Sequence, residues 1–149
     1  MPVYNRENDL YYSIRSVQCQ KMEDIEIVLI NDGSTDKTLE TIQKFKEEDP
    51  RIKIINNEKN RKILFSKSIG ALYANGKYIL ELDQDDVFIS SNAFNILYNE
   101  AENNNLDLLQ FRDFTLRKFH FDKNVKGEGM IFEQETKKET QPDISYAHF

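Results

Sequence analysis

Three carboxylates within four residues, Asp83-Gln84-Asp85-Asp86, directly follow an apolar run at residues 78–82. Like charges crowded at one rim repel unless a cation or well-placed donors offset them. Asp83 and Asp85 stand two apart, so in an extended segment they point the same way. Hard divalent cations prefer such oxygens, and Mg²⁺ takes one or two protein carboxylates while substrate phosphates complete its shell. The pattern suits a diphosphate-bearing substrate, against the blander reading of an acidic turn that caps the next helix.

A second polar cluster, Asn31-Asp32-Gly33-Ser34-Thr35, ends the apolar run that begins at Ile25. It reads as a turn plus a helix cap. Asp32 has a further capacity, because a carboxylate at a strand end can accept the imide N–H of uracil in a charge-assisted hydrogen bond. The five glycines, at 33, 70, 76, 127 and 129, form neither a P-loop nor a dinucleotide fingerprint. His120 and His148 lie in the irregular C-terminal part and have no companion ligands, so surface roles are expected. Cys19, near Val17 on an amphipathic helix, is expected to pack rather than react.

These loops need elements to carry them. Leu10, Ile14 and Val17 have helical spacing over residues 8–20, with Asn5 or Asn8 as cap. Residues 25–30 form a β-branched run buried on both faces, as in parallel sheets. Leu39, Ile42 and Phe45 mark a second helix, capped by Ser34 or Thr35 and stopped at Asp49-Pro50. Ile52, Ile54 and Ile55 follow as a strand. Residues 63–75 read as a third helix closed by Gly76, and 78–82 as another strand. A fourth helix, capped by Ser91, carries Phe94, Leu97 and Ala101, and residues 106–111 give a last strand.

Strands alternating with helices predict an α/β fold, a mainly parallel sheet with helices on both faces. An α/β region over 1–112 and an irregular extension over 113–149 follow, since residues 133–143 contain no aliphatic or aromatic side chain. Residues 2–5 lead straight into a helix where such folds first have a strand, so the chain reads as starting one strand late. In open parallel sheets ligands bind beyond the carboxyl ends of the strands. That brings residues 2–5, 31–34 and 83–86 to one crevice.

Composition narrows the class. The 149 residues carry a formal charge of −6, without the basic excess that nucleic acid requires. The single cysteine excludes an internal disulfide and a cysteine-based zinc cluster. No apolar stretch approaches the roughly 18 residues of a membrane span, and no signal peptide is legible, so a cytoplasmic location is expected.

Taken in order, PVYN with SI-x-SV, then IEIVLINDGSTDKT, then N-x(9)-G-x(5)-GKYILELDQDD, resembles the family 2 glycosyltransferases, whose nucleotide-binding region has the Rossmann-like GT-A fold. The likeness covers residues 2–112. It implies a metal-dependent and inverting transfer of sugar from a UDP-sugar donor. Pro2, Tyr4 and Asn5 match the loop along the uridine, and Asp32 the residue that reads the base. Asn60 and Lys67 fall near base and phosphates. Asp83 and Asp85 match the D-x-D pair, Asp83 near the ribose and Asp85 on a Mn²⁺ or Mg²⁺ that bridges the diphosphate.

The chain departs from the family pattern in three places. Met1 stands where a first strand is expected, Arg61-Lys62 replace a common glycine, and Lys67-Ser68 replace Arg-Asn. No segment matches the acceptor-side general base. The alternatives are an inactive nucleotide-sugar-binding remnant and an α/β interaction module. Donor sugar, acceptor and oligomeric state have no short signature.

Overall fold

The computed structural model describes residues 1–110 and 145–147. Its elements are β1 (Pro2–Val3), α1 (Leu10–Gln18), β2 (Ile27–Asn31), α2 (Thr38–Glu48), β3 (Ile52–Asn56), α3 (Ile63–Tyr73), α4 (Ala93–Asn103), β4 (Leu108–Gln110) and β5 (Ser145–Ala147). The parallel sheet has the order β1-β2-β3. Ile27 to Asn31 pair with Ile52 to Asn56, and Pro2 and Val3 pair with Ile30 and Asn31.

The sheet has a helix layer on each face because β2 is apolar on both. Ile27 and Leu29 join Leu10, Ile14 and Val17 of α1, Ile42 and Phe45 of α2, and Val3 and Ile52 in one buried cluster. Each such aliphatic side chain contributes about 1.5–3 kcal/mol on full burial. Ile30 points to the opposite face, under α3. There a Cβ on Gly70 would lie 2.8 Å from Ile30 Cδ1. The α/β fold with helices on both faces is therefore as the sequence predicts.

Several expectations need correction. The place of the expected first strand is filled in part by Pro2–Val3 themselves, two residues against the five of β2. Residues 78–82 form no strand. Strand conformation depends on a neighbouring ladder more than on intrinsic preference, and β1, at the sheet edge, is too short to supply one. The segment is anchored through side chains instead: the Tyr78 hydroxyl donates to Glu102 Oε1 and its ring meets Tyr98 edge-on.

Helix capping differs as well. Neither Asn5 nor Asn8 caps α1, whose N-cap is Asp9 without a side-chain bond. Neither Ser34 nor Thr35 caps α2; Lys37 N–H donates to Glu7 Oε2 and Thr38 N–H to Asp36 Oδ1. Gly76 does not close α3, whose C-cap is Ala74; the Gly76 N–H donates to Glu26. The N-cap of α4 is Asn92 rather than Ser91. Within the expected strand over 106–111, Leu108–Gln110 pair antiparallel with Ser145–Ala147, outside the parallel sheet. His120, His148, Gly127, Gly129 and the polar stretch 133–143 lie outside the described residues.

Candidate functional site

Beyond the carboxyl ends of β1 and β2 opens a cleft of about 500 Å³. Pro2, Val3, Tyr4, Asp32, Asn60 and Lys62 line it together with Ile63, Asp83, Gln84 and Asp85. Of the residues expected at the site, Pro2, Tyr4, Asp32, Asn60, Asp83 and Asp85 thus meet at one place. Asn5 and Lys67 stand behind them.

The loops are joined through backbone amides. Asn5 takes φ +49°, and its N–H donates to Ser34 Oγ (3.1 Å) while its Oδ1 accepts the Thr35 N–H (2.9 Å). That explains why Asn5 is unavailable as a helix cap. Gln84 links the acidic loop to both neighbours: its Oε1 accepts the Tyr4 N–H at 2.9 Å, and its carbonyl accepts the buried Ser13 hydroxyl at 2.7 Å. Gly33 has φ +69°, and a Cβ there would fall 2.5 Å from the Lys59 carbonyl carbon and 2.6 Å from Asn60 N. Only glycine lets the 57–61 loop cross so close.

Asp32 is 4% exposed. Its Oδ1 accepts the Asn57 side-chain amide and the Arg61 backbone N–H, both at 2.9 Å. Burial alone would raise its pKa, but these donors, with the Ser66 hydroxyl and the Lys62 N–H, outweigh burial and hold it below the ordinary aspartate value. Both of the 2.9 Å bonds fall on Oδ1, and the residue lines the cleft. Asn60 Oδ1 accepts the Lys62 N–H at 2.9 Å, shaping the turn into α3.

The acidic loop has cations on two sides. Lys67 Nζ lies 2.9 Å from Asp83 Oδ1 and 3.3 Å from Glu81 Oε2. The hydrogen bond to Asp83, then that to Glu81, raises the Lys67 pKa despite its desolvation. Arg6 Nη2 stands 3.9 Å from Asp85 Oδ2. Asp83 Oδ1 is itself a buried atom, and its charge is met by the Lys67 ammonium 2.9 Å away. With Asp85 exposed at the rim, the donor set is carboxylate oxygen open to a diphosphate, which fits a hard divalent cation. Among the described residues no three metal-binding side chains form a complete cluster.

Asn57, Gln84, Lys62 and Ser13 are site residues that motif reading passes over. The rule that assigns ligands to strand ends applies to the loop after β3 as well and points to Asn57. The reach of Gln84 and Ser13 across more than 70 positions is a tertiary fact.

Comparisons with known proteins agree with this geometry. Residues 1–149 match the model of "Glycosyl transferase family 2". An uncharacterised glycosyltransferase of Haemophilus influenzae is 43% identical over 84 residues, covering 56% of this chain and 26% of that protein. The uncharacterised glycosyltransferase EpsJ of Bacillus subtilis is 37% identical over 109 residues, 73% of this chain and 31% of that one. The chain thus spans about a third or less of the length of these relatives. Among solved structures, S. aureus TarS 1–349 in complex with UDP superposes with a TM-score of 0.66 at 23% identity, covering 72% of this chain and 32% of that one. The mannosyltransferase PcManGT from Pyrobaculum calidifontis, in complex with GDP-Man and Mn²⁺, gives 0.58 at 20% identity, over 62% and 29% of the two chains. The structural likenesses support the fold, and the family match over the full length settles membership: this chain belongs to glycosyltransferase family 2.

Proposed function

We propose that this chain binds the donor of a metal-dependent, inverting glycosyltransferase that takes its sugar from a UDP-sugar. The observation that carries the reading is the convergence of Tyr4, Asp32, Asp83 and Asp85 on one cleft at the carboxyl edge of a parallel sheet. A relative with a solved structure is in complex with UDP, and another with GDP-Man and Mn²⁺.

In this reading Pro2 and Tyr4 lie along the uridine, with Asn5 fixing their loop. Asp32, kept ionised by its amide donors, accepts the uracil imide N–H. Asn60 and Lys67 stand near base and phosphates. Asp83 meets the ribose and helps Asp85 hold a Mn²⁺ or Mg²⁺ ion. When bound, that ion supplies electrostatic stabilisation of the negative charge developing on the leaving diphosphate. Sugar transfer itself joins an acceptor hydroxyl oxygen to the anomeric carbon as the bond to UDP breaks. The hydroxyl proton passes to a general base.

Calorimetry tests the reading. Mn²⁺ alone is expected to bind weakly and UDP to tighten it, with Asp85→Ala losing the metal–UDP pair. Equal Mn²⁺ affinity with and without UDP, or an Asp85→Ala variant that binds the pair as tightly as the parent, overturns it.

A further inference from the structure

The site contains two cations that a bare binding loop would not need. Lys67, from the middle of α3, reaches Asp83 Oδ1 at 2.9 Å and Glu81 at 3.3 Å, and its side chain is only 25% exposed. Arg6, from the loop after β1, approaches Asp85 at 3.9 Å from the solvent side, with both partners well exposed. The first contact is short and partly shielded, so salt screens it little, whereas the second is long and screened. Asp83 is therefore the carboxylate whose charge is already answered from within the chain.

We propose that Lys67 is a resident counter-cation for Asp83, which keeps a divalent ion out of the acidic loop until a nucleotide diphosphate enters. This rests on the donor-site reading above and adds the device that orders loading. A dication approaching Asp83 and Asp85 alone is repelled by the Lys67 ammonium paired with Asp83. Exposed Asp85 and an Asp83 already paired with Lys67 offer it little compensation. A diphosphate changes the balance twice over, by adding negative charge that offsets both cations and by giving the metal the oxygens it lacks. Lys67 is thus a positioning residue, acting through Asp83.

The test is metal binding without nucleotide, read by calorimetry or by the spin resonance of free Mn²⁺. Lys67→Met should tighten Mn²⁺ binding in the absence of UDP by about tenfold, the size of one unit charge facing a dication across a few ångström of partly solvated protein. Lys67→Arg, which keeps the charge, should behave like the parent. Lys77→Met removes an equal charge at an exposed lysine paired with Glu102, and should change nothing. If Lys67→Met fails to fold, Lys67→Gln is compared in the same way, since it is neutral and still donates. Unaltered Mn²⁺ affinity in the folded neutral variant, or equal tightening by Lys77→Met, overturns the proposal. A parent chain that still binds Mn²⁺ and UDP together would leave the donor-site reading standing in that case. A parent chain that binds no such pair removes both.

Discussion

Asp32 does two jobs with one carboxylate. It gathers the Asn57 amide and the Arg61 N–H, so it fixes the 57–61 loop as well as facing the cleft. Substituting alanine would confuse the two roles. Asp32→Asn separates them, because the asparagine carbonyl still accepts from Asn57 and Arg61 while its amide turns a donor toward the base. Uracil presents a donor at the imide, so UDP affinity should fall by about 1.5–3 kcal/mol, the range for a hydrogen bond to a charged group. Cytosine presents an acceptor at the same ring position, so the preference for UDP over CDP should shrink. Competition titrations of the two nucleotides decide it: an unchanged preference at unchanged melting temperature leaves Asp32 as a loop anchor only.

At the level of elements, the site is made of turns held against each other. Gly33 is where the turn after β2 and the loop after β3 touch through backbone. Gly33→Ala combines a positive φ with a methyl group 2.5–2.6 Å from main-chain atoms that cannot step aside. It should destabilise by about 1–3 kcal/mol and weaken UDP binding with it. Gly70→Ala, whose new methyl meets only the movable Cδ1 of Ile30 at 2.8 Å, should cost less and leave UDP binding near the parent value. Thermal melts with UDP titrations separate the pair. Away from the cleft, Asp49 ends α2 and accepts two bonds from the Arg51 guanidinium, at 3.0 and 2.8 Å, and one from Gln18 of α1. The Arg51 hydrogen bonds, working against burial, pull its pKa from 3.8 down to about 2. A lowered folded pKa contributes stability above the ordinary aspartate value and loses it as pH falls from about 4 to about 2. Asp49→Asn should therefore be less stable than the parent at neutral pH by about 1–2 kcal/mol, with the difference narrowing through that window. A gap that stays constant between pH 5 and 2 would count against the pairing.

Over the whole molecule, apolar surface is unevenly covered. The cluster between the sheet and α1 and α2 is sealed, with Leu10, Ile14, Leu29 and Ile42 fully buried. On α3, Leu64 and Leu72 stand two turns apart and are 77% and 79% exposed, with Tyr73 and Ile79 also open. Exposed apolar patches of this kind promote association. Leu72→Lys should raise the concentration at which the chain stays monomeric in light scattering and shift the melting temperature by little, since an exposed leucine contributes little to folding. A large drop in melting temperature would mean that Leu72 is packed in solution.

The order of elements from α1 to α3, the parallel sheet and the acidic and amide-rich loops were legible in the sequence, because apolar periodicity and strand-end polarity are local signals. A β-branched run such as residues 25–30 buries two faces wherever it is placed, and Asp83 and Asp85 follow an apolar segment in any fold. What stayed hidden depends on partners far along the chain. Residues 78–82 have strand composition and form none, because a strand needs a ladder and β1 offers two residues. Asn5 has the right type for a helix cap, yet its side chain and amide are taken by Thr35 and Ser34, about 30 positions away. Only tertiary structure set the Lys67 ammonium against Asp83, since the pair joins a helix to a loop, and no spacing rule fixes how a side chain on one crosses to the other.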